Sequence, residues 1–207
     1  MSYWDHRKPV RRARAVDVEA IAGESVGLLD AGGLRALTVR AVAARLGVAP
    51  ASLYSRVESV DDLFDLALDH ALSEDEEMQR GMREMGIHDL MLAFHRHLLR
   101  HPWACQVIGF RAPRGPGYLR FSERMCSVLA EANVPDPLSA SYALSNFVIG
   151  SATTAPVSDD ERFRPVDPSV APLYAQLHAE HVVGAHEIVA AGLSALLRSY
   201  VTARPDA

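Results

Sequence analysis

The sequence predicts an all-α protein, and three observations lead to this fold class. Apolar residues recur at helical spacing along most of the 207 residues, and glycines and prolines separate the periodic segments. Neither strand-like alternation of useful length nor an internal repeat occurs in the sequence. The composition, 49% hydrophobic and 23% charged, is that of a globular chain and excludes disordered and collagen-like polypeptides.

The first part of the chain predicts two short helices. Apolar side chains share one face of a helix over about residues 16–30, and the Gly32–Gly33 pair ends it. Thr38 is placed to cap a second helix, whose apolar positions lead to a stop at Gly47.

Two more helix starts follow at once. Pro50 suits the first position of a third helix, which we expect to run to about Arg56. Ser59 resembles the N-cap of a capping box in which Asp62 takes the position of the glutamate, and it predicts a fourth helix. An acidic stretch then indicates a break near residues 74–86.

The remaining segments predict longer elements. They are helices over about 87–101 and 121–132 with a Pro- and Gly-rich break at 112–117 between them, an apolar helix over 138–155, a loop over 156–172, and a last helix over 173–202.

Charge is distributed unevenly along the chain. Residues 1–56 carry nine basic and five acidic side chains, whereas the whole chain carries 21 and 26 and has a net charge of -5. A basic end on an acidic body indicates that this end meets a polyanion, although chance clustering in a solvated arm gives the same pattern.

The second and third helices have the spacing of a helix-turn-helix. A turn of three residues, 47–49, joins them, and in this motif the second helix enters the DNA major groove. Val42, Leu46, Val48 and Leu53 would hold the angle between the helices. The outward side chains left for DNA are those of Ala51, Ser52, Ser55 and Arg56, with Arg40 beside them. A purely structural helix pair remains the alternative.

The residues of this motif resemble the TetR family of transcriptional regulators over about residues 14–72. The matching strings are Leu37-Thr38-Val39-Arg40, Val42-Ala43, Leu46-Gly47-Val48 and Ser52-Leu53-Tyr54. The His101-Pro102-Trp103 corner and the chain length are similar to the tetracycline-repressor branch.

The resemblance implies a division of the chain and a set of DNA contacts. The implied parts are a basic flexible arm over residues 1–13, a helix-turn-helix domain over 14–72, and an all-helical ligand-binding and dimerisation domain over 73–207. It implies phosphate contacts for Ser52, Tyr54 and Arg56, and a base or phosphate contact for Arg40. The full set of predicted DNA-binding residues is Thr38, Arg40, Pro50, Ala51, Ser52, Tyr54, Ser55 and Arg56.

Three departures from the family pattern bear on DNA binding. Ala49 replaces a usual capping serine, and Val60 replaces a common lysine and is followed by Asp61 and Asp62. These changes are expected to weaken DNA affinity. The basic arm Arg7–Arg14 could compensate by ordering on DNA.

The second domain is expected to hold a small, largely apolar effector, because a pocket there would combine apolar walls with a few polar anchors. The candidate lining residues are Met91, Phe94, His95, Trp103, Phe110, Phe121, Met125, Asn146 and Phe147. Each has a plain alternative as a core residue. Residues 138–155 and 185–197 are the candidates for a homodimer interface, with burial inside one chain as their alternative.

Histidines and cysteines do not predict a metal site or a cofactor. His97 and His101 are four residues apart and His178 and His181 three apart, and all four are interpreted as surface histidines. The two cysteines are too few for a disulfide scaffold, and no G-x-S-x-G or Walker pattern indicates an enzyme.

The sequence therefore predicts a cytoplasmic, ligand-responsive repressor with no membrane segment. It would act as a homodimer on a palindromic operator in double-stranded DNA and would be released by a small-molecule effector. The alternative is a ligand-sensing adaptor whose helix-turn-helix is weakened or non-functional.

Overall fold

The computed structural model describes residues 2–6, 16–161 and 164–202, and these ranges contain twelve α-helices and no strand. The helices are α1 (Tyr3–His6), α2 (Val18–Gly32), α3 (Val39–Arg45), α4 (Pro50–Leu53), α5 (Val60–Glu74), α6 (Glu76–Glu84), α7 (Ile87–Arg100), α8 (Pro102–Phe110), α9 (Pro116–Glu131), α10 (Pro137–Glu161), α11 (Pro172–Glu180) and α12 (Ala185–Thr202), with a 3-10 turn at Leu34–Ala36. The prediction of an all-α fold is confirmed.

Local capping explains where α2 and α3 begin and end. The Asp17 carboxylate accepts a hydrogen bond from Glu19 N at 3.3 Å, and the Thr38 hydroxyl accepts one from Ala41 N at 3.0 Å. Helix α2 ends at Gly32, and the next residue, Gly33, caps it with φ 65°, a conformation that glycine adopts without strain.

Helix α5 connects the first four helices to the rest of the molecule. It packs against α2 on one side and against α9 on another, and ten of its 15 residues are buried. Ser59 caps it by accepting from Asp61 N at 3.1 Å. The Asp62 carboxylate accepts from Glu58 N at 2.6 Å, one residue before the donor that a capping box uses.

The first residues are a helix docked on α5, which differs from the flexible arm predicted over residues 1–13. Tyr3 is 1% exposed, and its backbone N–H donates to Asp65 Oδ2 at 2.8 Å. His6 Nε2 lies 3.1 Å from Asp62 Oδ2. Burial of the aromatic ring and bonds to two carboxylates offset the entropy lost by ordering this segment.

The basic residues of the predicted arm, Arg7–Arg14, lie outside the described residues. Its part in DNA binding therefore stays a prediction.

The second half of the molecule is organised around α7. This helix packs against α6, α8, α9, α10 and α12, and its Leu90, Met91, Phe94 and Leu98 side chains are buried. Helix α10 also packs against α8, α9 and α12. The apolar stripes read from the sequence thus face one shared helical core.

Three elements differ from the sequence prediction. The expected break at 74–86 contains α6, which Asp75 caps by accepting from Glu77 N and Met78 N. Helix α10 continues past Pro156 into the expected loop. The last predicted helix is divided into α11 and α12, which are bent by 108°. The residues between them include Val182, Val183 and Gly184, which have low helix propensity.

Within the described ranges, no single helix has the length and apolar character that a membrane span requires. The bent pair α11 and α12 meets that criterion only when the two helices are taken together, by length and composition.

Candidate DNA-binding surface and effector site

Helices α3 and α4 form a compact helix-turn-helix. Val42 and Leu53 are fully buried between them and their neighbours. The turn is closed by the Val48 N–H, which donates to Ala43 O at 3.0 Å, and by Gly47, which has φ 66°. This packing fixes the direction in which α4 leaves the turn.

Most of the predicted DNA-binding side chains share the exposed surface of this motif. Tyr54 is 52% exposed at the end of α4, although large aromatic side chains are usually buried. The Ser55 hydroxyl donates to Ser52 O at 2.7 Å, which orders the end of the helix. The exposed members of the predicted set are Thr38, Arg40, Pro50, Ala51, Ser52, Tyr54 and Ser55.

Arg56 differs from the sequence prediction, which placed its side chain outward. It is 7% exposed, and its Nε donates to Val16 O at 2.9 Å. The guanidinium thus holds Val16, two residues before α2, against the end of the helix-turn-helix. Because Val16 lies 40 residues away in the sequence, helical spacing alone gives no sign of this bond.

The two carboxylates at the start of α5 have partners within the protein. Asp62 is 2% exposed and contacts His6 and Glu58 N, and Asp61 Oδ2 accepts from Arg111 Nη1 at 2.9 Å. Their negative charge is therefore partly compensated, although the sequence suggested that they repel phosphate.

Four predicted effector residues meet in the core of the second half. Met91, Phe94, Phe121 and Met125 are all buried on α7 and α9. The Phe94 and Phe121 ring centroids are 4.7 Å apart, a contact distance for tilted aromatic rings. Their burial agrees with the alternative role as core residues, and their part in binding an effector stays a prediction.

Three further candidates for the effector site lie outside the core formed by α7 and α9. Phe110 is 58% exposed and packs edge-on against Phe64, with centroids 5.9 Å apart. Asn146 is exposed on α10, and the half-buried Phe147 ring lies against Gly192 of α12. Three of the nine candidates therefore do not face the core formed by α7 and α9.

Trp103 and His95 are buried, but each has its own environment. Trp103 Nε1 donates to Asp30 Oδ1 at 2.6 Å, so this indole anchors α8 to α2. His95 is 2% exposed, and neither ring nitrogen has a hydrogen-bond partner among the described residues. Burial lowers the pKa of His95, and the nearby charges of His186 and Arg96 lower it further.

Two histidines interpreted as surface residues are instead paired with aspartates. His97 is fully buried, and its Nδ1 lies 2.8 Å from Asp75 Oδ2. His101 Nδ1 lies 2.8 Å from Asp30 Oδ1. Among the described residues, no group of three or more His, Cys, Asp or Glu side chains is arranged to hold a metal ion.

The Asp75 carboxylate remains ionised beside His97. Burial opposes its charge, but hydrogen bonds from His97, Arg100 and Met78 N outweigh burial and hold the pKa far below its ordinary value. Burial lowers the pKa of His97 more than Asp75 raises it, so this imidazole is neutral near pH 7. The sequence analysis missed this pair because its members are 22 residues apart on different helices.

Known proteins resemble both halves of the chain. The family described as "Bacterial regulatory proteins, tetR family" matches residues 14–67, and the one described as "Tetracyclin repressor-like, C-terminal domain" matches residues 86–186. An HTH-type transcriptional regulator of Saccharopolyspora erythraea is 38% identical over 144 residues, which are 67% of this chain and 61% of that protein.

A second relative and a solved structure are also similar to this chain. The HTH-type transcriptional repressor DrrR1 of Streptomyces coeruleorubidus is 31% identical over 157 residues, 72% of this chain and 58% of that protein. The chain thus spans about three fifths of the length of these curated relatives. The TetR family protein ActR of Streptomyces coelicolor, solved in complex with actinorhodin, has a TM-score of 0.74 at 22% identity and covers 94% of this chain and 99% of its own.

The two family matches cover the helix-turn-helix and most of the second half, and the solved structure has the same overall fold. The exposed face of α4 and the packing of α3 against it agree with the first match. The chain belongs to the TetR family of bacterial transcriptional regulators.

Proposed function

We propose that this protein is a transcriptional repressor that binds a palindromic operator as a homodimer and is released by a small effector. The exposed surface of the helix-turn-helix, where Tyr54, Ser52 and Arg40 face solvent over a fully buried Leu53, carries this proposal. A rigid helix that presents polar side chains outward is the element that reads the major groove.

The homodimer is proposed to form through α10 and α12. Leu138 and Tyr142, one turn apart on α10, are 55% and 63% exposed, and Ile188 on α12 is 50% exposed. Exposed large apolar side chains on packed helices are typical of an interaction surface. Pairing these helices with their copies would bury them in a two-fold interface. Two-fold symmetry then requires a palindromic operator, with half-sites about one helical turn or a multiple of it apart.

The effector is proposed to bind the core formed by α7, α9 and α10. Its binding would favour a dimer in which the two α4 helices no longer match successive major grooves. The relative DrrR1 is named a repressor, and the structural neighbour ActR was solved with actinorhodin, which supports both parts of this proposal. Because the target is chromosomal DNA, the proposed location is the bacterial cytoplasm.

Selection of bound duplexes from sheared genomic DNA tests the proposal directly. We expect enrichment of a palindromic fragment, whose affinity falls steeply as the salt concentration rises. The genes beside that fragment would then indicate the effector. A folded, dimeric protein that enriches no duplex, after effector carried through purification has been removed by unfolding and refolding, would instead support the ligand-sensing adaptor.

Tyr54→Ala tests the residue assignment. We expect loss of operator binding with little change in unfolding temperature, because the ring is half exposed. Tyr174→Ala is the control variant, since that tyrosine is 49% exposed on α11 and lies outside both the helix-turn-helix and the proposed dimer interface. Wild-type operator affinity in Tyr54→Ala would remove Tyr54 from the DNA-binding surface.

A further inference from the structure

A cavity lies where the helices of the DNA-binding part meet the start of α9. Its volume is about 470 Å³, and residues of α1, α2, α5 and α9 form most of its walls. None of the four core residues proposed for the effector, Met91, Phe94, Phe121 and Met125, lines it. A volume of this size accommodates a small organic molecule.

The charged side chains around this cavity are mostly acidic. Four carboxylates line it but only two guanidinium groups, and these belong to Asp17, Glu19, Asp69 and Glu74 and to Arg56 and Arg120. Among the described residues, none of these six side chains forms an ion pair with another. The excess of negative charge favours a positively charged ligand.

Asp69 is the carboxylate that most clearly lacks a partner. It is 7% exposed, and its Oδ1 accepts from Gly117 N at 2.7 Å and from Tyr118 N at 3.1 Å. Its Oδ2 has no hydrogen-bond partner within the described part of the chain. A buried charge is costly unless it is paired, so this oxygen lacks a cationic donor.

The pKa of Asp69 reflects this incomplete pairing. Burial raises the pKa above its ordinary value, and the two backbone N–H groups together with the charges of Arg120 and His70 offset burial only in part. A cation that donates directly to Oδ2 would supply the attraction that the protein itself does not provide.

The position of the free oxygen is fixed by the start of α9. A Cβ added to Gly117 would lie 2.6 Å from Ser73 Oγ and 2.9 Å from Asp69 Oδ1, so the close approach of α9 to α5 requires glycine there. Rotation of the carboxylate would break its bonds to two N–H groups of α9. Such preorganisation reduces the entropic cost of binding a ligand.

Trp4 provides an aromatic wall of the cavity. It lies on α1, which is docked on α5 because Ser2 Oγ and Tyr3 N both donate to Asp65. An indole ring attracts cations through its π electrons and also packs against apolar groups. Leu66 of α5 adds an aliphatic surface to the lining. The cavity therefore combines a site for a positive charge with a site for an apolar group.

We propose that this cavity binds an organic ammonium ion that has an apolar body. The ammonium group donates to Asp69 Oδ2 and lies near the carboxylate of Glu74, and the apolar body packs against Trp4 and Leu66. This site is separate from the core proposed for the effector, so the inference goes beyond the proposed function.

Three probes of similar shape and different charge test this preference. They are 4-phenylbutylamine, 4-phenylbutan-1-ol and 4-phenylbutanoate, which are positive, neutral and negative near pH 7. Titration calorimetry with the full chain measures their binding. We expect the amine to bind about tenfold or more tightly than the alcohol, the gain from one hydrogen bond between a charged group and a buried partner. The carboxylate probe should bind weakest, because the acidic lining repels it.

Tryptophan fluorescence locates the bound amine. The chain has two tryptophans, and Trp103 does not line the cavity. The amine is expected to change the fluorescence of the wild type, and Trp4→Phe should lose this change. An unaltered response in Trp4→Phe would place the amine elsewhere and overturn the inference.

Two variants remove negative charge from the cavity. Asp69→Asn keeps one oxygen for the N–H groups of α9 but replaces the free oxygen with an N–H donor, and it should weaken the amine about tenfold or more without affecting the alcohol. Glu74→Gln changes an exposed residue and should weaken the amine about two- to fivefold. Glu84→Gln removes an exposed carboxylate outside the cavity and is the matched control for net charge.

Arg120→Gln should have the opposite effect. Its guanidinium is the positive charge of α9 that lines the cavity, and it competes with a bound cation for Asp69. We expect the amine to bind Arg120→Gln about two- to fivefold more tightly than the wild type. Weaker binding of the amine by this variant would contradict the proposed charge preference.

The outcomes separate this inference from the proposed function. Equal affinity of the wild type and a folded Asp69→Asn for 4-phenylbutylamine, no binding of the amine, or tighter binding of 4-phenylbutanoate would each overturn the inference. If Asp69→Asn does not fold, wild-type affinity in Glu74→Gln overturns it instead. Amine binding with the expected variant pattern supports the site even in a protein that selects no DNA, an outcome that would refute only the repressor.

Discussion

Arg40 and Arg56 carry the same charge in the helix-turn-helix but lie in opposite environments. Arg40 is exposed on α3, where it can meet DNA. Arg56 is buried and donates to Val16 O. The two residues are therefore expected to differ in what their replacement costs.

Arg56→Ala is expected to lower the free energy of unfolding by about 1–3 kcal/mol, because a partly buried carbonyl loses its donor and the buried side chain loses its packing. Its operator affinity should keep the wild-type dependence on salt. Arg40→Ala is the matched control, with unchanged stability and a salt slope reduced by about 0.9 for a lost phosphate contact. Thermal unfolding and titrations at several salt concentrations measure both. A reduced salt slope in Arg56→Ala would place Arg56 on DNA after all.

His95 makes the stability of the protein depend on pH. Burial lowers its pKa below the ordinary value of 6.5, so the unfolded chain binds a proton more readily than the folded one. Stability contributed by the neutral folded form is present above pH 6.5 and is lost as the pH falls below it.

His95→Leu is expected to raise the unfolding temperature at pH 5.5 and to make its fall between pH 7 and 5 shallower, since the new side chain needs no partner and binds no proton. His97 has a lowered pKa as well and leaves a residual slope. The charged groups near His95, namely His186 and Arg96, are retained in both proteins, so they cancel in the comparison. An unchanged pH profile would mean that His95 has a partner or solvent access in the folded state.

At the scale of elements, α8 is bonded to the DNA-binding domain at both ends. At its start, Asp30 of α2 accepts from His101 and Trp103 at 2.8 and 2.6 Å. At its end, Arg111 Nε and Nη2 both donate to Asp65 of α5 at 2.9 Å. Burial of Asp65 opposes its negative charge and raises its pKa. The hydrogen bonds from Arg111 and from the Tyr3 N–H outweigh burial, so the pKa is lowered overall.

Asp30→Ala should weaken the contact between α2 and the start of α8. We expect a loss of about 1–2 kcal/mol, because Trp103 Nε1 is left without its acceptor in a partly buried position. Asp30→Asn keeps an oxygen that can accept and should lose less. Under the proposed function, Asp30→Ala should also need more effector to release DNA. Chemical denaturation and effector titrations measure the two effects, and wild-type stability in Asp30→Ala would show that the bonds contribute little.

At the scale of the whole molecule, two glycines distinguish the proposed dimer from the fold of one chain. A Cβ added to Gly150 of α10 would meet no atom within 4 Å, so this surface is open in the protomer. A Cβ added to Gly192 of α12 would lie 2.3 Å from the Phe147 ring, which is far closer than van der Waals contact.

Gly150→Arg is therefore expected to leave the protomer folded but to prevent dimerisation, since a large charged side chain would enter the α10 interface. Gly192→Ala is expected to destabilise the protomer itself by about 1–3 kcal/mol, the cost of overpacking. Sedimentation together with circular dichroism separates the two effects. A Gly150→Arg protein that remains dimeric would exclude this face of α10 from the interface.

Sequence determined the features that depend on neighbours along the chain. Local rules account for the caps at Thr38 and Ser59, the turn at Gly47 and the apolar faces of α7 and α9. A helix repeats every 3.6 residues, and the backbone groups at its ends need hydrogen-bond partners from nearby residues. The same locality made the helix-turn-helix and its family recognisable.

Tertiary structure decided which groups meet across helices. The bonds of Arg56 to Val16 and of Asp30 to His101 join residues 40 and 71 positions apart, and the docking of α1 joins Tyr3 to Asp65, 62 positions away. Periodicity tells which face of a helix is buried but not which partner lies opposite, because that depends on the crossing angle and register of two packed helices. For the same reason, only the structure brings Trp4 and Asp69 to one cavity.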